Sequence, residues 1–286
     1  MANVTTTTAA SFIPEMWRDA ILDYAERKFQ LRNQVLDFSS MVSNGGDTLN
    51  IPKVAEETAA AKSADTAVTY SANTDGVIQL SLDQHQYEAK RIEDIVRVQE
   101  SADLFNAYAK SMGYALAKKV ESFLAATIQG ATANNTDVAT DNILLPAELR
   151  GGLEKFLDAN HDYTDGETYL YVNPKVYMGL MGQGDFTESQ KRGDAVNPIV
   201  SGNVMEIYGM PVYPSTDWSE SGTDGTQIGS AFKKEAIYFG QQIAPRVQSS
   251  YDIDHLATSV VADVLFGAVL SQAAGSATGI VNFLNP

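Results

Sequence analysis

Between residues 104 and 128 apolar side chains recur at steps of three and four: Leu104, Tyr108, Met112, Leu116, Val120, Phe123 with Leu124, and Ile128. That spacing puts them on one face and predicts a single long helix over 102–129 with its apolar face buried. Ser101 stands where an N-cap belongs, Asp103 puts a negative charge in the first turn, and Gly130 supplies a stop. At ~1.5 Å per residue the helix is roughly 42 Å long, well beyond the usual globular length.

Upstream the period changes from 3.6 to 2. Residues 48–54 alternate with Leu49 and Ile51 on one side, and residues 77–89 with Ile78, Leu80 and Leu82, so both segments are expected to be strands. Between them, 55–76 is rich in Ala, Thr, Ser and Asp, with Val68 and Tyr70 as its sizeable apolar residues and Asn73, Asp75 and Gly76 as turn formers. The pattern predicts a projecting hairpin. At ~3.3 Å per residue a 15-residue arm reaches on the order of 50 Å. A lone two-stranded arm is marginal in water, so this one is expected to lie on a partner. The junction near Val98 then joins an arm that packs elsewhere to a rigid helix.

Residues 13–29 carry Ile13, Trp17, Ile21, Tyr24 and Phe29 at helical spacing behind a Thr-rich tract, which predicts an arm with a short amphipathic helix. After the long helix, 131–142 reads as a polar loop between two structural regions. Pro146 opens a helix with Leu149, Leu153, Phe156 and Leu157 on one face up to Ala159, weakened by Gly151 and Gly152 at ~1 kcal/mol each. The run 169–172 is apolar on both faces, as in a buried strand, and Asn173–Pro174 reads as cap and first residue of a helix to Met181. Residues 182–203 form a long loop, 204–208 and 212–213 strands around the turn 209–211, and 217–229 a polar excursion. A strand is expected at 236–239, then a succession of short strands through Ile243, Val247, Tyr251 and Ile253. For 259–270, β-branched and aromatic residues favour a strand over a helix, with Val260, Ala262, Val264, Phe266, Ala268 and Leu270 on one face, and 279–284 is the last strand. The class is α+β.

Composition narrows the chemistry. The chain has 286 residues, 44% of them hydrophobic, enough for a sizeable core. No run approaches the ~18 apolar residues of a membrane span and no secretory leader is evident, so a soluble chain made in the cytoplasm is expected. With no cysteine, disulfides, thiolate metal sites and cysteine nucleophiles are excluded. A formal net charge of −16 argues against tight, direct nucleic-acid binding. The basic pairs Arg27–Lys28, Lys90–Arg91, Lys118–Lys119, Lys191–Arg192 and Lys233–Lys234 are scattered and read as solvated or paired with acids.

Candidate catalytic residues are sparse. The three histidines, His85, His161 and His255, stand apart from one another; Asp252, Asp254 and His255 form a weak metal motif that reads better as a polar strand end. Gly179, Gly182 and Gly184 surround a helix end rather than a phosphate loop. The carboxylate pairs Asp185 with Glu188 and Glu56 with Glu57 have no setting that raises a pKa. Tyr169, Tyr171, Tyr177, Tyr208 and Tyr213 read as sheet and core packing. No enzyme, cofactor or metal is expected.

The order of parts, an arm, a projecting hairpin, a long helix, an α+β insertion and a return to strands, resembles the HK97-like major capsid proteins of tailed bacteriophages. The run YLYVNPKVYMGLM at 169–181 is similar to a strand, turn and helix of that family's axial domain. GMPVYPS at 209–215 is similar to its G-x-P-V segment, and DVLFGAVLSQAAGSATGIVNF at 263–283 to the strands that return beside the spine helix. The resemblance implies an N-terminal arm at 1–46, an extended loop at 47–92, a peripheral domain at 93–142 and 244–286 with 102–129 as spine helix, and an axial domain at 143–243.

Function is then assembly of pentamers and hexamers into an icosahedral shell around double-stranded DNA, which the wall tolerates without specific binding. Implied partners are further copies of the chain, a separate scaffolding protein, a portal and a candidate decoration protein, with no membrane. The implied location is the virion capsid, assembled in the cytoplasm of a bacterial host. Candidate inter-subunit residues are Trp17, Arg27, Lys53, Glu56, Glu57, Lys62, Tyr70, Lys191 and Arg192. Lys53 and Lys62 sit on the loop from which some relatives form an isopeptide crosslink, but no acceptor or catalyst for that reaction is identifiable. An encapsulin-like compartment shell in the same fold, a β-rich ligand-binding surface protein, and a hydrolase using the scattered carboxylates are the alternatives.

Overall fold

The computed structural model describes residues 30–43, 45–54, 59–68, 70, 75–94, 103–140, 142–183, 206–221 and 223–286. In chain order these form β1 (Leu36–Asp37), α1 (Ser39–Val42), β2 (Thr48–Lys53), β3 (Gly76–Ser81), β4 (Gln84–Glu93), α2 (Asp103–Gln129), β5 (Asn135–Asp137), α3 (Pro146–Asp158), β6 (Thr168–Val172), α4 (Pro174–Met181), β7 (Glu206–Ile207), β8 (Met210–Pro214), β9 (Gln227–Lys233), β10 (Ile237–Asp252), β11 (Ala257–Leu270) and β12 (Ile280–Leu284). The strands make a four-stranded sheet, β1-β10-β11-β4, a six-stranded sheet, β5-β12-β9-β6-β8-β7, and the hairpin β2-β3. The expected N-cap Ser101 and the helix at 13–29 lie outside the described residues.

The long helix matches its apolar period. Met112, Leu116, Val120, Leu124 and Ile128 are buried, with Tyr108 and Phe123 half-buried, against Phe239, Val260, Ala262, Val264 and Phe266 of the four-stranded sheet. The strand reading of 259–270 holds, because alternate residues of β11 supply that packing face. Near its C-terminus the same helix meets the second sheet, since Tyr171, Trp218, Phe232 and Ile280 belong to the same core. A second core lies inside the insertion, where Leu149, Leu153 and Phe156 of α3 and Val176 and Leu180 of α4 pack on Leu170, Val212, Val281 and Phe283.

The glycines that weaken α3 have a local cause at one of the two positions: a Cβ on Gly152 would lie 2.8 Å from the Phe283 ring, so helix propensity is given up for close packing on β12. Asn173 caps α4 as expected, its Oδ1 accepting from Val176 N at 2.7 Å with Pro174 at the first position. Its Nδ2 donates to Asn142 Oδ1 (2.8 Å), whose backbone N–H donates to Asn285 Oδ1 (2.9 Å). These buried asparagines tie the cap of α4 to the last strand.

Five expectations need correction. The strand expected over 77–89 is two strands, because the chain changes sheets at Asp83: β3 pairs with β2, and β4 pairs with β11. The polar loop at 131–142 contains β5, held parallel to β12 at the edge of the six-stranded sheet. The polar excursion ends at Thr226, and β9 follows inside what had read as loop. Its small residues concealed it: a Cβ on Gly229 would lie 2.9 Å from Tyr171 O, and Ser230 is buried in a polar network. The short strands after Ala236 are one 16-residue strand, β10, irregular in register between Gln241 and Arg246 around Pro245. The turn before β8 is centred on Tyr208 and Gly209, both with positive φ, rather than on 209–211.

A helix leaves its last carbonyls without partners, and burial makes that costly. Here Asn282 of β12 ties down the chain that leaves α2: its Nδ2 donates to Ala131 O at 2.6 Å and, at 3.4 Å, to Ile128 O, which also accepts from Ala131 N at 3.1 Å. Its Oδ1 accepts from Ser230 Oγ at 2.6 Å, and Ser230 Oγ accepts from Trp218 Nε1 at 2.8 Å. Outside this buried chain, Gln227 Nε2 donates to Gln129 O and Gln129 Nε2 to Asp217 O. The Asn282→Ala variant is expected to lose about 3 kcal/mol, since it leaves buried donors and acceptors unsatisfied at ~1–3 kcal/mol each. Differential scanning calorimetry should show a fall of roughly 6–12 °C. An unchanged melting point would show that water replaces the amide freely.

Candidate assembly surfaces

The hairpin registers as its alternation predicts, Leu49 opposite Leu80 and Ile51 opposite Ile78. Its root is well seated. Leu80 is fully buried and Leu82 nearly so, and ideal Cβ atoms on Gly240 and Gly267 locate what lies over the outer face of the four-stranded sheet. These glycines are register partners across β10 and β11. A Cβ on Gly240 would meet Leu80 at 3.0 Å, and one on Gly267 would come within 1.9 Å of Ser81 O. The paired glycines form a notch in which the hairpin root crosses the sheet, on the side away from the long helix. Leu82 N donates to Asp47 O at 2.9 Å and closes the root.

Beyond the root the hairpin turns to solvent. Every described residue from Pro52 through Val77 is exposed, Tyr70 at 93%, Val54 at 69% and Val68 at 60%. Lys53 and Lys62 stand here in solvent; Lys53, Val77, Ile78, Val269 and Leu270 line a groove of about 360 Å³ between the hairpin and the end of β11. Of the other residues singled out for subunit contacts, Trp17, Arg27, Glu56, Glu57, Lys191 and Arg192 lie outside the described residues. The described part of the set, Lys53, Lys62 and Tyr70, belongs to one segment of the chain and is exposed.

The outer face of the same sheet also carries a charged cluster that sequence inspection did not identify. Asp263, on the opposite side of β11 from the helix-facing residues, is 6% exposed. Arg246 grips its carboxylate with Nε at 2.9 Å and Nη2 at 3.0 Å, and His85 Nε2 lies 3.0 Å away. Burial alone would raise the Asp263 pKa, but the hydrogen bonds from Arg246 and His85 outweigh it and hold the group below its ordinary value. The signal available in the sequence was Asp263 itself, a charge in an otherwise apolar strand.

At the far end of this sheet the Asp252–His255 turn is a local brace. His255 Nδ1 is 2.7 Å from Asp252 Oδ2, Asp254 N donates to Asp252 Oδ1, and Arg91 pairs with Asp252 at 3.5 Å. Among the described residues no group of three or more His, Asp or Glu side chains is placed to hold a metal ion, and no helix is long and apolar enough to cross a membrane. Tyr171 is buried and stacked on Trp218, Tyr213 packs on Tyr171, and Tyr177 is buried, as expected of core aromatics, whereas Tyr208, expected to pack likewise, is exposed in its turn with its hydroxyl accepting from Arg150 Nη1 at 3.1 Å.

The Gly267→Ala variant is expected to displace the hairpin root and cost ~1–3 kcal/mol or more, as overpacking does. Amide exchange at 78–82 should quicken while the long helix stays protected; unchanged exchange at the root would refute the notch. A folded-state pKa held down gives stability present above the ordinary carboxylate value and lost as pH falls below it. Removing the grip in Arg246→Ala should therefore move acid unfolding to higher pH, followed by circular dichroism; an unmoved midpoint would mean that Asp263 does not depend on Arg246.

A model of a family described as phage capsid protein matches residues 85–281. No curated protein matches in sequence. Among solved structures, the chain is similar to that of Mycobacterium phage Che8, with a TM-score of 0.70 and 22% identity over 88% of this chain and 89% of the other. It is similar also to the capsid structure of cyanophage P-SCSP1u, with a TM-score of 0.70 and 15% identity over 88% and 86%. The capsid of the native GTA particle gives a TM-score of 0.67 and 11% identity over 90% of both chains.

Proposed function

Because the chain belongs to the phage capsid protein family and has the HK97-like fold of a capsid shell subunit, we propose that its copies close as hexamers and pentamers into an icosahedral shell around packaged double-stranded DNA. The observation that carries this reading is the hairpin: a root locked into a glycine notch and a tip with every described residue exposed. A segment built this way is stabilised by packing that its own chain does not supply. A neighbouring copy supplies it in a closed lattice, where symmetry repeats each contact around the shell.

On this reading 47–92 is the extended loop, 1–46 the arm, 93–142 with 244–286 the peripheral domain around the spine helix α2, and 143–243 the axial domain. The six-stranded sheet draws β5 and β12 from the flanking segments, so the two domains share a sheet edge. Lys53, Lys62 and Tyr70 act in subunit contacts from the hairpin, and Trp17, Arg27, Glu56, Glu57, Lys191 and Arg192 from the arm, the hairpin tip and the axial loop. The shell is built in the host cytoplasm with a separate scaffolding protein and a portal, and a decoration protein is a candidate addition. The net charge of −16 suits a wall that encloses DNA without gripping it.

Deleting residues 59–70 is expected to leave a folded chain with a similar melting profile that no longer forms shells when co-expressed with its scaffold. Negative-stain electron microscopy reads the outcome. Closed particles from the deletion variant, or a full-length chain that remains monomeric under the same conditions, would overturn the proposal.

A further inference from the structure

The chain passes from the six-stranded to the four-stranded sheet between Lys233, the last residue of β9, and Ile237, the first of β10, through the 3-10 turn Lys234–Ala236. Two other segments close around this turn. Lys234 N donates to Glu167 O at 2.9 Å, Lys233 N to Gly279 O at 3.0 Å, and Ser271 N to Ala236 O at 2.8 Å. The loop 161–167, the turn and the segment 271–280 thus meet at the joint between the sheets.

The side chains there are charged and partly dry. Lys233 is 6% exposed; its Nζ donates to Asp162 O at 2.9 Å, pairs with Asp165 Oδ2 at 2.8 Å and lies 3.5 Å from Glu235 Oε1. His161 Nε2 is 3.0 Å from Thr278 Oγ1, and its Nδ1 is 3.8 Å from the same Glu235 carboxylate. Glu235 therefore stands between two basic side chains, one always charged near neutrality and one that switches.

We propose that this joint is a proton-operated latch between the two sheets, closed while His161 is neutral and loosened when His161 gains a proton. The imidazolium brings a second positive charge beside the Lys233 ammonium in a partly dry site, a cost that the Glu235 carboxylate between them offsets only in part. Burial first, and then the Lys233 charge, push the His161 pKa below its ordinary 6.5, against the upward pull of Glu235. A histidine depressed in the folded state holds its full contribution above that ordinary value, and the contribution drains away as pH falls through 6.5 toward the folded value.

The groups facing His161 do not share that window. Hydrogen bonds from Thr164 hold Asp162 below its ordinary 3.8. Burial opposes the lowering of Asp165, but hydrogen bonds from Lys233 and the Glu167 amide prevail. Burial likewise opposes the raising of Lys233, and the pairing with Asp165 prevails. Histidine is the side-chain type whose ordinary titration falls in mildly acidic solution, which makes His161 the proton acceptor of the latch.

The test is amide exchange by mass spectrometry on the unassembled full-length chain, between about pH 7.5 and 5.5, corrected for the intrinsic pH dependence of exchange. In the wild-type chain, opening at 161–167, 233–237 and 271–280 should rise on acidification, by about tenfold for each unit separating the folded and unfolded pKa values of His161. His161→Gln should flatten that response, and Glu235→Gln, which removes the one charge pulling the pKa upward, should enlarge it. A wild-type response equal to that of His161→Gln overturns the latch. Should His161→Gln fail to fold, Glu235→Gln at a half-exposed position decides alone, and a response no larger than wild type overturns it. The readout is confined to one chain, so it stands apart from what the copies assemble into.

Discussion

The carboxamide of Asn282 tying down the chain that leaves the spine helix is the contact on which the rest of the molecule depends. The backbone closes the last turn of this 27-residue helix through Gly130 N to Ala126 O and Ala131 N to Ile128 O, and the buried chain that leaves it needs a partner of its own. By donating to Ala131 O and Ile128 O while accepting from Ser230, Asn282 makes the helix terminus, β12 and β9 one unit. Trp218 completes the chain of donors and brings the loop after β8 into the same core. The helix is thereby held as a rigid axis between a sheet that supports the hairpin and a sheet that carries the insertion.

From that axis the two faces of the four-stranded sheet take different work. One buries Val260, Ala262, Val264 and Phe266 against the helix. The other gives up side chains altogether at Gly240 and Gly267 so that the hairpin root can cross at backbone distance, and next to this notch keeps the Arg246–Asp263–His85 cluster. Rigidity at the root and exposure at the tip belong together. An arm that projects into solvent needs a root that does not slide, and a backbone-to-sheet contact without side chains gives that more firmly than a flexible interdigitation.

Much of this was legible in the sequence, and the unread part has a consistent physical origin. The spine helix, the hairpin register, the Asn173 cap and the strand at 259–270 follow from periodicity or from one residue of strong preference, which act locally. Apart from the turn at Tyr208–Gly209, a local shift of one residue, the errors fall where the deciding partner is remote. Strand β9 hid behind Gly229 and Ser230, whose small side chains are required by Tyr171 and by Trp218 with Asn282. The break at Asp83 arises because β3 and β4 answer to different sheets, and β5 exists only because β12 is there to pair with it. The exposure of Lys53, Lys62 and Tyr70 follows from the polar, unpacked character of their segment. Asp263 and the His161–Lys233 joint were missed because their partners stand far away in the chain.

The central claim is that the hairpin tip is ordered by neighbouring copies and its root by its own chain. Amide exchange compared between the assembled shell and the unassembled chain tests this most directly. The account predicts that residues 78–82 are protected in both states and residues 54–75 only in the shell. Equal protection of 54–75 in the unassembled chain would contradict it, because the tip would then have found its packing within a single copy.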